Sequence, residues 1–522
     1  MKIITMRHIL GNKVLQYDVD DRGVIVDERE IDRTVNPKPN IADWVKEHMV
    51  FWYDMSKPVD TYIPGVTYAN LFVNGGGKLT YDNAINKCII THTPTNSNNI
   101  AFWQIIVKPL QYVESYKIRV TGLPTGFTIK GRLGYDNIQI TSDGEYDIPE
   151  YRNSSTTNTS YPGFYLAGDN VNDVDCNIVV EEIPTKQSVP TNEILKANPY
   201  LQDHSGNNRP LKLNNFLFAA MSGVGGYAMN YTDSALFITY LNGTRGNGTI
   251  TDNTITINNV TVSNGVIETK VSSPSQKYKV RVTGVTSNET LRYVIHGDVS
   301  LGELATIMFD IKKDGEYELP ASTYSATYNM KWQVIANSYP HTCNITIEQI
   351  PSYPNALVTD GVDDYGQVQN FKSLQNYMMF FQCAITRPNT TNGMFSTTSI
   401  ESGTPGWMLL QGNSAYYVRF GNNIYKTFNV TSSIRNKISY VLSANNELMT
   451  CYVGEEKATQ AGTYSQTGAN MSLFLSDIIR KTRFGSMAFY KSILFDSVPT
   501  KETDGFTEQD LIDYVLENLI TK

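Results

Sequence analysis

A chain of 522 residues is long enough for about three to five folding units at roughly 100–200 residues each. It carries 41% hydrophobic and 18% charged residues and a formal net charge of −8. No Lys/Arg run offers an electrostatic footprint, so neither nucleic acid nor an anionic membrane surface is expected as a partner. No stretch approaches the roughly 18 uninterrupted apolar residues of a membrane span.

The opening MKIITMRHILGNK is broken by Arg7 and His8 before an apolar core develops, so no secretion signal is read there. Residues 1–63 read as an N-terminal anchoring segment. It is charged over VDDRGVIVDEREIDR, passes through Asn36-Pro-Lys-Pro, and continues as the helix-like run IADWVKEHMVFWYDMS, in which Ile41, Trp44, Val45 and His48 share helical spacing. Trp44, Phe51, Trp52 and Tyr53 form a dense aromatic cluster. It serves either as a small core against the next domain or as a docking face completed by another protein.

An internal repeat follows. YKIRVTG from Tyr116 is matched by YKVRVTG from Tyr278, DGEYDIP from Asp143 by DGEYELP from Asp314, and CNIVVEEIP from Cys176 by CNITIEQIP from Cys343. Three matched blocks in one order mean a duplicated domain. Tyr116, Ile118 and Val120 alternate with Lys117, Arg119 and Thr121, the period of a strand wet on one face. The unit is therefore expected to be a β-sandwich, with copies over 64–185 and 233–352. A spacer or assembly role fits both copies, since nothing in the blocks is chemically unusual.

Between the copies lies a connector, 186–232, in which Asp203, His204 and Ser205 are adjacent. Catalytic triads are assembled from separate elements, so neighbours in a turn are not expected to form one. Gly75-Gly-Gly-Lys78 is followed by Leu79 where a phosphate-binding loop needs Ser or Thr. Cys88, Cys176, Cys343, Cys383 and Cys451 lie far apart without metal-binding spacing and read as reduced thiols.

From residue 353 to 498 the pattern changes to LVTDGVDDYGQV, YMMFFQCAI, GWMLLQG, KISYVLSANNELMTCYVG and RFGSMAFYKSILFD. KISYVLSANNELMTCYVG reads as a hairpin joined across Ala444-Asn-Asn-Glu447. Over 499–522, FTEQDLIDYVLENLI reads as an amphipathic helix capped by Thr507 with Asp510 at the capping-box position. Its apolar stripe is Leu511, Ile512, Val515, Leu516 and Leu519.

These five blocks resemble, in order, the strands of concanavalin-type and laminin-G-like jelly rolls. The fold class is thus expected to be all-β and multidomain: a duplicated β-sandwich plus a lectin-like jelly roll, with a short N-terminal α/β segment and a C-terminal helix. The resemblance implies glycan binding, with Trp407, Tyr416, Tyr417 and Arg419 as the sugar-contacting candidates. It also implies calcium at Asp360, Asp363 and Asp364, residues that plain turn chemistry explains equally well. No other cofactor is expected. No His lies beyond His341, so no histidine-based catalysis is expected in this domain.

A second resemblance concerns the connector. YLQDHSGNNRPLKLNNF followed by AAMSGVGG is similar to a segment of structural proteins of tailed phages of gut Bacteroidales, including the crAss-like group, and WYDMSK resembles what normally precedes it. This implies a virion head fibre or tail fibre, made in the host bacterial cytoplasm and displayed on the virion surface, in which 64–185 is an insertion. Such a fibre would be a homo-oligomer, trimer or dimer, anchored to capsid or tail proteins through its N-terminal region and contacting host or mucosal glycans. An enzyme is not expected. The alternatives are a capsule polysaccharide depolymerase on the same appendage, which needs two carboxylates about 5–10 Å apart, and a bacterial surface glycan-binding protein, which should carry a signal or lipoprotein cysteine.

Overall fold

Strands dominate the computed structural model, which describes residues 4–10, 13–19, 25–32, 40–61, 78–82, 86–92, 100–104, 107, 109–110, 112–168, 175–184, 186–270, 277–295, 306–321, 330–387, 392–397, 407–411, 415–420, 424–429, 438–444, 448–453, 456–461, 470–477 and 481–520. For the strands before Asn40 and between 407 and 429 the description is of the backbone alone. The first three strands, Ile4–Leu10, Lys13–Val19 and Ile25–Asp32, form an antiparallel meander.

The duplication predicted from the matched blocks is present as two sandwiches of one topology. In the first, a five-stranded sheet runs in the order Gly144–Ile148, Tyr116–Thr121, Asp175–Ile183, Lys87–His92, Lys78–Asp82. In the second, the same order is Gly315–Leu319, Tyr278–Thr283, His341–Ile350, Thr254–Val260, Gly246–Ile250. Tyr116, Ile118 and Val120 are buried while Lys117, Arg119 and Thr121 face solvent, and Tyr278–Thr283 repeats that alternation. On the wet faces Arg119 spans Glu145 and Glu181, and Arg281 spans Glu316 and Glu348. These exposed pairs align the strands and add little stability. The glycine ending each YK-R-V-T-G block is required by close approach as well as by its φ of +76° and +86°. A Cβ at Gly122 would lie 2.2 Å from the Asn177 carbonyl oxygen, and one at Gly284 1.9 Å from that of Asn344.

The third unit is a jelly roll of two eight-stranded sheets, and its strands come from three separated parts of the chain. One sheet is ordered Tyr200–Leu201, Leu211–Asn214, Tyr365–Val368, Ser472–Leu473, Asn392–Ser396, Trp407–Gln411, Ala415–Phe420, Ile424–Asn429. The other is ordered Gly223–Val224, Leu357–Val358, Met487–Phe495, Tyr377–Ile385, Ile438–Ala444, Leu448–Val453, Glu456–Ala461, with Met49–Asp54 pairing on Met487–Phe495 as well. Tyr377–Ile385 is buried at all nine positions, as expected of the central strand.

Strand pairing thus assigns 40–61 and 189–226 to the jelly roll, where the linear reading treats them as a docking segment and a connector. Both sandwiches are insertions. The first leaves and returns through a stem in which Val59–Thr61 pairs with Lys186–Ser188. The second leaves after Gly226 and returns at Ser352 and Tyr353, whose N–H groups donate to the carbonyls of Gly226 and Gly225 at 3.3 and 3.0 Å. Asn192 holds the two exits together, accepting from the Val224 N–H at 2.6 Å and donating to its carbonyl at 3.3 Å.

The aromatic cluster near the N-terminus is not a docking face. The helix Ile41–His48 gives way at Met49 to a strand, MVFWYD, because this continuous apolar, aromatic-rich run fits a sheet buried on both sides. Phe51 and Tyr53 are 0% exposed inside the jelly roll, stacked at 4.6 Å. Trp44 is 3% exposed between Phe495 and Phe506, and its indole N–H donates to Asp504 Oδ1 at 3.0 Å. Trp52 is half-buried beneath the C-terminal helix. Of the four, only Trp52 keeps part of its surface open.

The C-terminal helix forms as expected over Glu508–Val515, with a complete Thr507–Asp510 capping box. Leu511, Ile512 and Val515 bury against Met378, Phe380 and Phe495 on the outer face of the jelly roll.

Candidate functional site

The three predicted carboxylates lie in the turn after Leu357–Val358, at the rim of the jelly roll. Thr359 pins the start of this turn: its hydroxyl donates to the Gly485 carbonyl at 2.6 Å and accepts from the Met487 N–H at 3.0 Å. Gly361 has φ +74°, and a Cβ there would sit 2.8 Å from Ser486 Cβ, so the tight bend over that strand requires glycine. Asp360 Oδ1 accepts from the Val362 N–H at 2.7 Å, the side-chain turn anticipated for an Asp in this position. Asp364 turns inward and is 0% exposed, accepting from the Asp360 N–H at 2.9 Å and from the Ser222 hydroxyl at 3.0 Å.

Ser222 belongs to the loop 215–222, which borders the turn. Its hydroxyl accepts from the Leu217 N–H at 2.9 Å, and Asn215 Nδ2 donates to the Asp363 carbonyl at 3.1 Å. Asn215, Phe218 and Ala220 have φ of 66°, 51° and 50°, a left-handed conformation that costs each about 1–3 kcal/mol and persists only where its surroundings enforce it. Leu217 in this loop and Val362 in the turn are 69% and 65% exposed.

One carboxylate oxygen from each of Asp360, Asp363 and Asp364 lies within 4.8 Å of the other two. The donors are all oxygen, the chemistry of a hard cation such as calcium rather than of zinc or copper. The set fits that ion in donor type, while the turn hydrogen bonds already occupy part of the lone-pair capacity of Asp360 and Asp364. Turn chemistry is therefore demonstrable, and the calcium reading is compatible with it.

Burial, with the nearby negative charge of Asp360 and Asp363, pushes the Asp364 carboxyl up to about 7, against hydrogen bonds from the Asp360 N–H and Ser222 that pull it down. The unfolded carboxyl titrates near 3.8. The folded chain therefore holds a proton that the unfolded chain lacks between these values. Its stabilising contribution is complete below pH 3.8 and is lost as pH rises through about 7. In calcium-free buffer the melting temperature of the jelly roll should fall between pH 5 and pH 8, and Asp364→Asn should flatten that part of the profile. An unchanged slope in the variant, measured by near-ultraviolet circular dichroism, would show that other groups set it.

The proposed sugar-contacting residues lie on two neighbouring strands whose side chains fall outside the described residues. Their register is described: Trp407 pairs with Phe420, Gln411 with Tyr416, Leu410 with Tyr417 and Met408 with Arg419. Strand alternation therefore puts Trp407 and Tyr416 at positions of one face and Tyr417 and Arg419 at positions of the other.

Asp203, His204 and Ser205 form no triad. Asp203 Oδ1 accepts from the N–H groups of Trp52 and Ser205, each at 2.9 Å, and Oδ2 from the Arg209 N–H at 3.0 Å. His204 donates its backbone N–H to the Trp52 carbonyl at 2.8 Å, and burial, with Lys57 nearby, lowers its imidazole pKa. Asn207 Nδ2 and Arg209 reach the carbonyls of Met49 and Val50. This clamp between 203–209 and Met49–Asp54 escaped sequence reasoning. Its one signal was the paired occurrence of WYDMSK and QDHSGNNR. Gly75–Gly77 lie outside the described residues, and Lys78 opens a strand.

A concavity of about 650 Å³ opens at the base of the first sandwich, lined by Ser115, Tyr116, Lys117, Asp147, Ile148, Pro149, Ile183 and Pro184. Its lining holds one carboxylate, Asp147, which pairs with Lys117 at 3.3 Å, so it does not supply the two acids of glycoside hydrolysis.

No family model matches the chain, and no curated protein matches it. Solved structures similar to it include a Ruminococcus gnavus sialidase carbohydrate-binding module bound to α2,3-sialyllactose, at 15% identity over 25% of this chain and 80% of that one, with a TM-score of 0.22. Mouse laminin α1 domains LG4-5 align at 9% identity over 53% of this chain and 90% of that one, with a TM-score of 0.22. A putative carbohydrate-binding protein from Bacteroides ovatus aligns at 11% over 45% and 83%, with a TM-score of 0.21. The chain itself is an all-β, multidomain protein.

Proposed function

We propose that this chain is a non-catalytic glycan-binding protein displayed on the surface of a phage particle, as a head fibre or tail fibre, with the jelly roll as its recognition domain. The observation that carries the glycan reading is the rim turn: three convergent carboxylates held against a strained loop, with exposed Val362 in the turn and exposed Leu217 in the loop. Such a surface combines polar groups able to take sugar hydroxyls, directly or through calcium, with apolar groups for the sugar's apolar face. Asp360, Asp363 and Asp364 would hold the cation, whose chemistry is to coordinate hydroxyl oxygens.

Display on a virion rests on the likeness of the connector and WYDMSK to phage structural proteins. Because Trp44, Phe51 and Tyr53 are spent inside the jelly roll, attachment passes in this reading to the meander over Ile4–Asp32. Copies joined as a trimer or dimer would multiply weak single-site affinity.

The test is a glycan array probed with the full chain in calcium and in chelator. The expected result is selective binding that falls at least tenfold in Asp363→Ala, an exposed position whose loss leaves the fold intact. Absence of binding to any glycan in either buffer would overturn the glycan reading. Hydrolysis of capsule polysaccharide by the purified chain would favour a depolymerase instead.

A further inference from the structure

The concavity at the base of the first sandwich joins apolar walls to a polar rim. Ile148, Pro149, Ile183 and Pro184 supply the walls, and the Ser115 hydroxyl and the Lys117–Asp147 pair supply the polar groups. Both charged side chains stay open to solvent, 55% and 82% exposed, so they are free to turn to a ligand. A volume of about 650 Å³ lies within the usual range of small-ligand sites.

The second copy of the repeat is an internal control. The matched blocks and their strand register place Lys277 where the first copy has Ser115, and Glu318 where it has Asp147. The Lys277 ammonium lies 3.5 Å from Glu318 Oε1, so longer side chains meet across the matched position. Pro351, the match of Pro184, packs toward the jelly roll: a Cβ on Gly225 would lie 2.9 Å from the Pro351 Cβ. The opening therefore goes with shorter side chains in the first copy and not with the topology, which both copies share.

A two-stranded ribbon, Tyr112–Val113 with Tyr151–Arg152, leads into the concavity through Ser115 and Pro149. On it Tyr112 is 43% exposed, its hydroxyl donating to Glu150 Oε2 at 2.5 Å and its ring 4.8 Å from the Arg152 guanidinium. A ring fixed at two points loses little freedom when a ligand stacks on it.

The chemistry of the lining narrows the ligand. Its two charges are opposite and already paired, which leaves no net field to hold an ion. Tyr116–Thr121 is hydrogen-bonded on both edges, to Gly144–Ile148 and to Asp175–Ile183, so no peptide can add to it as a strand and recognition falls to side chains. What fits is a neutral molecule with both hydroxyls and apolar faces. Lys117 can donate to one hydroxyl while Asp147 accepts from its neighbour, and the apolar walls with the Tyr112 ring take the C–H face. We infer that this concavity is a second saccharide site, separate from the rim turn and independent of calcium, which takes a neutral oligosaccharide through Lys117, Asp147 and Tyr112.

The test is an array of neutral oligosaccharides probed with the full chain in chelator, followed by titration calorimetry of each sugar retained. Binding is expected, and it should fall roughly tenfold or more in Ser115→Lys with Asp147→Glu, which installs the second copy's residues, while the melting curve stays unchanged. Tyr112→Ala, at an exposed position, should weaken the same sugar by roughly tenfold. Asp363→Ala should leave that sugar bound, so failure of this site and failure of the rim turn are read separately. No neutral sugar bound in chelator would overturn the inference, as would binding that the double variant and Tyr112→Ala both leave unchanged. If the double variant fails to fold, Tyr112→Ala decides the matter alone.

Discussion

Replacing Lys491 by Met is expected to destabilise the jelly roll by about 3–5 kcal/mol, the cost of leaving a buried carboxylate without its cation. Lys491 Nζ lies 3.2 Å from Asp54 Oδ2, with side-chain exposures of 6% and 2%. The ammonium also donates to the Leu519 carbonyl at 3.3 Å, and Asp54 Oδ1 accepts from the N–H and hydroxyl of Ser56 at 2.9 and 2.6 Å. One ion pair thus joins the N-terminal strand, the long C-terminal strand and the end of the C-terminal helix. The melting temperature of the jelly-roll transition should fall by roughly 10 °C, given about 2–4 °C per kcal/mol for a unit of this size. Replacing both partners, Asp54→Leu with Lys491→Met, should recover most of the loss, because two matched apolar groups leave no orphan charge. A loss below about 1 kcal/mol in the single variant would mean that water already solvates the pair.

Asp203→Ala should cost about 3 kcal/mol, less than the sum of its parts because the three accepted bonds share one turn. The carboxylate gathers the N–H groups of Trp52, Ser205 and Arg209, and no neighbouring side chain replaces it in the described structure. Asp203→Asn keeps one carbonyl oxygen and should lose about half as much. Urea denaturation gives the magnitudes. Hydrogen exchange should show the Trp52 amide opening first, and protection of that amide in Asp203→Ala would contradict the clamp.

Local features of the fold were readable in the sequence. Alternation in Tyr116–Thr121 and Tyr278–Thr283 and the Thr507–Asp510 box depend on residues a few positions apart, and each formed as read. What was not readable depends on distance along the chain. Phe51 and Tyr53 look like a free aromatic cluster because the strand that covers them, Met487–Phe495, lies more than four hundred residues away. The connector looks like a linker because Leu211–Asn214 finds its partner, Tyr365–Val368, only across an entire inserted sandwich. At the site, three Asp residues within five positions announced a turn, and their convergence followed. The inward rotation of Asp364 onto Ser222 was not legible, since Ser222 arrives from the other side of the insertion. The register that pairs Trp407 with Phe420 and Gln411 with Tyr416 is not encoded in composition.

The strand pairing makes 40–61, 189–226 and 352–522 one jelly roll, interrupted twice by inserted sandwiches. The most direct measurement is the thermal unfolding, followed by near-ultraviolet circular dichroism, of a chain in which 40–61, 186–226 and 352–522 are joined by short Gly/Ser linkers and both sandwiches are removed. A single cooperative transition with native aromatic signal is expected, because every strand of the two eight-stranded sheets is retained. A chain without a cooperative transition, or one that folds equally well when 40–61 is also omitted, would contradict it.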